Sequence, residues 1–288
     1  MQNAVESIEH AFIALTQRVT NVENHLQALP MPAPPARETP ALPMMASPNP
    51  IMAHPNNDTL MMQCNFRGYL RKQPVIRQHL RTSTRQADVI MIQENYIDSV
   101  TLPGFKPFIP LDASRRLCTF SRKRITTIEH NLHVRYIEHL LVELIPTRKR
   151  KENIFLLNVY SHPSAKVRRR FLNLFKKALN VAGTNPLVIG GDFHLSHTVW
   201  GYGYSTMAAQ NLWQDSQDLG LTFITDPTFP TRFHNSTSRD TTPDLTFTKN
   251  VTNAQWSNTQ HDLGSDHFII AIRIPRIAAV TANPREFT

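Results

Sequence analysis

PLVIGGDFHLSH occupies residues 186–197. The apolar run Leu187-Val188-Ile189 is short and is stopped by two glycines, which reads as a buried strand that ends on a carboxylate, Asp192. Working outward, an amphipathic basic helix is predicted over Ala165–Val181, with Val167, Phe171, Leu174, Phe175 and Leu179 inward, and a second helix over Thr206–Leu219. Further strands are predicted at Leu60–Met62, Val89–Ile92, Leu140–Ile145, Ile154–Tyr160, Leu245–Thr248 and His267–Ile274, with a basic helix over Pro74–Arg85. Helices and strands interleave, so the class is α/β with many strands. No internal repeat is visible.

The 288 residues are 41% hydrophobic and 18% charged, enough for one sizeable core and an appendage. Residues 1–57 carry net −2 and residues 58–288 net +11, which points the second part toward a polyanionic partner. The longest apolar runs fall far below the roughly 20 residues of a bilayer helix, so no membrane span is expected. MQNAVESIEHAF lacks the basic and apolar segments of a signal peptide, and two cysteines, Cys64 and Cys118, fit a reducing, intracellular compartment.

Val5, Ile8, Phe12, Leu15, Val19, Val22, Leu26 and Leu29 follow the 3-4 spacing of a coiled coil. A seam this narrow favours helix association over docking on a broad core, so residues 5–29 are expected to self-associate, in an oligomer whose number stays open. Nine prolines between Pro30 and Pro55 predict a semi-extended linker. The expected divisions are a helix at 1–29, a linker at 30–57, a catalytic-type domain at 58–276 and a tail at 277–288.

Polar residues close several of the apolar runs: Asn65 after LMMQC, Glu94 after VIMIQ, Tyr160 after IFLLNV and Asp192 after VIGG, while Asp266-His267 opens the last. A buried strand that ends in an acid is often only a solvated turn. Together, however, carboxylates, an amide, a phenol and an imidazole are the inventory of metal-assisted phosphoester hydrolysis.

Six motifs then resemble one family. CNFRG (64–68), IQE (92–94), NVYSHP (158–163), GGDFHLSH (190–197), TPDLTF (242–247) and LGSDH (263–267) resemble, in order, those of the endonuclease/exonuclease/phosphatase superfamily. Within it they are similar to the apurinic-type endonuclease domain of non-LTR (LINE-type) retrotransposons. Trp200-Gly201 and Pro230-Thr231 also match what those domains carry between the fourth and fifth motifs. The resemblance spans about residues 60–275 and implies a two-layer β-sandwich of mixed sheets flanked by helices.

It also implies roles. Glu94 would ligate magnesium, with manganese as the alternative, and Asn65 would stand beside it. Asp192 would orient or deprotonate the attacking water. His267 would contact the scissile phosphate while Asp244 fixes its tautomer. Asp266 would be a further carboxylate near the metal, and Tyr160 a donor to the phosphate or leaving oxygen. The implied function is nicking of DNA, leaving 3′-hydroxyl and 5′-phosphate ends. Only 21 residues follow His267, so a fragment of a longer or separately encoded system is expected.

His194 stands where the family carries an asparagine that donates to the phosphate, and losing one such donor costs roughly 100- to 1,000-fold. Cys64 replaces a tryptophan and Phe66 a cysteine. His194 and His197 at i, i+3 make zinc a lesser alternative. Basic clusters at Arg115-Arg116, Arg122 to Arg124, Arg148 to Lys151 and Lys166 to Lys177 fit DNA-backbone contact, although individual contacts are not assigned. The RKRK tetrad at 148–151 fits a nuclear signal equally well. Two rivals stay open: a catalytically inactive, self-associating nucleic-acid-binding protein, and a phosphatase of the same fold.

Overall fold

The computed structural model describes residues 58–97, 99–110, 116–146, 152–163, 171–233 and 239–275. The coiled-coil stripe, the proline-rich segment, the RKRK tetrad, Arg115, residues 165–170 of the predicted helix and the tail lie outside the described residues. The strands are β1 (Thr59–Asn65), β2 (Val89–Gln93), β3 (Phe105–Phe108), β4 (Leu117–Arg122), β5 (Thr126–His130), β6 (Glu138–Ile145), β7 (Ile154–Tyr160), β8 (Leu187–Asp192), β9 (Thr222–Phe223), β10 (Asp244–Lys249), β11 (Gln255–Asn258) and β12 (Ile270–Ile274). The helices are α1 (Tyr69–Thr82), α2 (Phe171–Ala182) and α3 (Met207–Asp218).

They build two six-stranded sheets, ordered β11-β12-β1-β2-β4-β3 and β5-β6-β7-β8-β10-β9. The β1–β2 and β7–β8 pairs at the two sheet centres are parallel and the other pairs antiparallel. Met61, Val89 and Met91 of the first sheet pack with Val142, Leu156 and Val188 of the second to form the layer between them. Tyr69, Ile76 and Leu80 of α1 cover the outer face of the first sheet through Ile90, Ile92 and Phe120. Phe171, Leu174 and Phe175 of α2, with Leu212 of α3, cover the outer face of the second through Leu157, Ile189 and Phe247. Covering on both faces explains why β2, β7 and β8 are buried at every position and read as plain apolar runs.

Several boundaries, and five strands, differ from the sequence reading. Helix α1 begins at Tyr69, five residues before Pro74, which lies inside it. A proline inside a helix loses a hydrogen bond and crowds the preceding turn, at a cost of about 3 kcal/mol, and burial of Tyr69 before the proline, with Ile76 and Leu80 after it, offsets that cost. The final strand starts at Ile270, because His267 is drawn into an isolated bridge with Arg232. Strands β3, β4, β5, β9 and β11 are additional to those the apolar runs predict. In β4 the inward Thr119 and Ser121 are polar and fully buried, so the apolar run is broken without exposure.

Candidate active site

Strand parity and register assemble the site. Side chains alternate across a sheet, so Asn65 shares the inner face of β1 with Met61 and Gln63. Tyr160, Asp192 and Asp244 pair in one row across β7, β8 and β10. Because β10 runs antiparallel to β8, Asp244 reaches that edge from the start of its strand. Glu94 follows β2 directly, where Gln93 pairs with Asn65. The two sheets thus present their functional ends at one mouth, with Asn65 and Glu94 on one side and Tyr160, Asp192 and Asp244 on the other.

Asn65 joins the halves. Its Nδ2 donates to Glu94 Oε1 at 2.9 Å and to Asp192 Oδ2 at 2.8 Å. Ser265 Oγ donates to the Asn65 carbonyl at 2.6 Å and ties the last loop to β1. Beneath the mouth, Gln93 Nε2 donates to Asn158 Oδ1 at 2.6 Å, and Asn158 Nδ2 donates to Thr119 Oγ1 at 3.2 Å, so amides also span the two sheets.

His267 Nδ1 lies 2.8 Å from Asp244 Oδ2, and both side chains are about 1% exposed. Thr231 Oγ1 donates to the same carboxylate oxygen at 2.7 Å. Burial alone would lower the His267 pKa, but Asp244, helped by Asp192 and Asp266, pushes it up to about 9. Burial raises the Asp244 carboxyl against the pull of His267. Asp192 is equally buried, yet His194, His267 and Asn65 outweigh that burial and hold its carboxyl below the usual range.

His194 sets its Nδ1 2.8 Å from Asp192 Oδ1, and its backbone N–H donates to the same oxygen at 3.2 Å. Its ring meets Tyr160 edge to face at 5.8 Å. Tyr160 is 1% exposed, and burial, with Glu94 and Tyr96 nearby, raises its phenol pKa. Tyr96, which sequence reasoning missed, donates its hydroxyl to Glu94 Oε2, and burial and that carboxylate push its pKa up to about 12. Arg67, Glu94 and His194 all adopt left-handed backbone (φ 45, 52 and 47°), so strain of roughly 1–3 kcal/mol each gathers around this mouth.

Asp266 is engaged by two arginines. Its Oδ2 accepts from Arg67 Nη1 at 3.0 Å and from Arg232 Nε at 2.8 Å. His267 and these two arginines override its burial and lower its pKa. His197 accepts from the Val199 N–H through Nδ1 and stacks on Trp200 at 4.7 Å, capping the turn Thr198–Trp200.

Among the described residues, two groups gather potential ligand atoms within 4.8 Å of one another: Glu94, Asp192 and His194, and Asp192, Asp244 and His267. Neither contains His197 or Asp266. The first group fits a divalent cation in chemistry, since carboxylate oxygens suit a small hard ion. Asp244 Oδ1 is buried with no hydrogen-bond partner among the described residues, which leaves an acceptor available beside it. Tyr96 carries no signal by composition, and Ser265 lies within the LGSDH motif, which does not mark its bond to Asn65. Thr231 belongs to the Pro230-Thr231 pair of the motif resemblance, but nothing in that pair indicates a bond to Asp244.

Comparison with known proteins agrees with this architecture. Residues 154–271 match a family described as endonuclease-reverse transcriptase. The structure resembles the endonuclease domain of TRAS1, a telomere-specific non-LTR retrotransposon, with TM-score 0.61 and 21% identity over 75% of this chain and 98% of that one. The two-sheet fold is shared with that domain. Two further structures share it. The AP endonuclease LMAP from Leishmania major aligns with TM-score 0.60 and 12% identity, over 77% of this chain and 89% of that one. The 3′ phosphatase NExo from Neisseria, bound to a product DNA hairpin, aligns with TM-score 0.52 and 15% identity, over 75% and 99%. None of the curated proteins matches by sequence. Among the described residues, no helix is long and apolar enough to cross a membrane.

Proposed function

We propose that the chain is a metal-dependent endonuclease that hydrolyses DNA phosphodiester bonds. One observation carries this reading: Asn65 holds Glu94 from one sheet and Asp192 from the other at a shared mouth, beside the His267–Asp244 pair. A divalent cation, magnesium by preference and manganese otherwise, would be held by Glu94 with Asp192 and His194 in reach, and would offset the charge that develops on the phosphate.

The protein groups supply the rest. Asp192, kept ionised by its neighbours, orients the attacking water and takes its proton. His267, protonated at neutral pH, donates to a phosphate oxygen, and Asp244 and Thr231 hold its ring in place. Tyr160, kept neutral by burial, retains a hydroxyl proton to donate. The positive charge of residues 58–288 suits a polyanionic substrate better than a small phosphorylated one. The heptad stripe at 5–29 adds self-association, which sedimentation of the full chain measures.

Supercoiled plasmid incubated with the purified chain and Mg²⁺ should become nicked, and chelator or Glu94→Ala should abolish the nicking. Cleavage of an inositol phosphate with no plasmid nicking would favour a phosphatase instead. A second reading, an inactive DNA-binding protein, is favoured by one feature. His194 engages Asp192 at the place expected for a phosphate donor. DNA binding without nicking, unchanged by Glu94→Ala, would select it.

A further inference from the structure

We propose that the cleft between α1 and β3 is a second anion site, which takes a phosphate together with the flat ring it carries, that is, a nucleotide. The cleft is open to solvent and measures about 680 Å³, a volume within the range of small-ligand sites. Leu102, Pro103 and Phe105 give it an apolar floor, and Arg77, Lys106 and Lys123 bring three cations to its wall from α1, β3 and the turn after β4. No carboxylate lines it among the described residues.

None of these three cations pairs with a carboxylate among the described residues. Arg67, Arg116, Arg124 and Arg232 each pair with a carboxylate. Arg77 has no such pair among the described residues, and its Nε is buried without a hydrogen-bond partner. A phosphate in the cleft would supply the counter-charge this unpaired guanidinium lacks. Lys106 lies over the Phe108 ring at 4.8 Å, and the Arg122 guanidinium stacks on Phe105 at 4.2 Å at the back of the floor. A positive wall over an apolar base suits a phosphate with a planar aromatic body better than a bare ion.

The cleft is separate from the catalytic mouth. Strand β4 pairs Leu117 with Gln93, next to Glu94, at one end, and Arg122 with Phe105 at the other. Five residue steps place those ends ~17 Å apart, so one phosphate cannot occupy both. The proposal stands or falls independently of the endonuclease reading.

The nucleotide has two sources, a free mononucleotide or a residue of a nucleic-acid strand. The test is calorimetric titration of the full chain in chelator with dAMP and with a twelve-residue oligothymidylate, comparing wild type, Arg77→Ala, Arg77→Lys and Lys123→Ala. Loss of dAMP binding by about tenfold or more in Arg77→Ala and Lys123→Ala, with partial retention in Arg77→Lys, supports a free-nucleotide site. The same loss confined to the oligonucleotide supports a strand site. Thermal melting shows which variants fold, and Lys123, on an exposed turn, serves should Arg77→Ala not do so. Unchanged affinity for both probes in the folded variants overturns the proposal.

Discussion

The Nδ1 atom of His194 lies 2.8 Å from Oδ1 of Asp192, so a side chain at the phosphate-donor position engages the carboxylate assigned to the water. The contact draws on the acidity of Asp192 and fills space that a smaller amide would leave open. His194→Asn should therefore raise the plasmid-nicking rate by about 100-fold, the scale of one preorganised donor. Initial rates at equal protein and Mg²⁺ measure this, and an unchanged or lower rate would show that the imidazole is no impediment.

Stability should carry the signature of the His267–Asp244 pair. An unfolded histidine titrates near pH 6.5, whereas His267 in the fold is pushed up to about 9. The fold holds the proton more tightly, so the stabilisation is fully present below pH ~6.5 and is lost as pH rises through about 9. Urea midpoints of wild type should fall across that window, and those of His267→Gln should fall less. Parallel profiles would contradict the assignment.

The glycines before Asp192 are set by the opposing sheet and by β7. A Cβ on Gly190 would come within 2.6 Å of Gln63 Oε1 and 2.9 Å of Met91 Cε. Gly190→Ala should cost about 1–3 kcal/mol, as overpacking does, and Gln63→Ala in the same chain should restore part of it. At Gly191 the added carbon would lie 1.9 Å from the Val159 carbonyl oxygen, which is backbone and cannot swing away. Gly191→Ala should therefore lower the thermal midpoint further than Gly190→Ala, and the reverse order would refute this packing account.

Metal binding has a readout apart from turnover. A cation held by the folded state alone raises the melting temperature as its concentration increases. Wild type should gain several degrees in millimolar Mn²⁺ or Mg²⁺, while Glu94→Gln, which keeps shape but loses charge, should gain little. An equal gain in both proteins would remove Glu94 from the ligand set.

Much of this site is legible in the chain because its residues close apolar runs, and strand parity turns such endings into a shared edge. Asn65, Glu94, Tyr160 and Asp192 are of this kind. Asp244 and His267 precede or open their runs, so motif order marks them more than position does. Thr231 and Ser265 lie inside matched motifs, yet their bonds to Asp244 and Asn65, 13 and 200 positions away, emerge only from the fold. The motif resemblance places Asp266 near the metal, and its partners Arg67 and Arg232 cannot be read from spacing, since Arg67 is 199 residues distant. Strand β4 escapes the apolar pattern because its inward positions are polar, and the amides it meets across the sandwich make that polarity tolerable.

Glu94 belongs to one sheet and Asp192 to the other, and Asn65 is the strut that fixes the gap between them. The sandwich therefore behaves as a caliper whose jaw opening is gauged by the thickness of the apolar filling behind it. Trimming Leu156 or Met91 in that filling should therefore change the melting-temperature gain in Mn²⁺ relative to Mg²⁺, although neither side chain belongs to the proposed site.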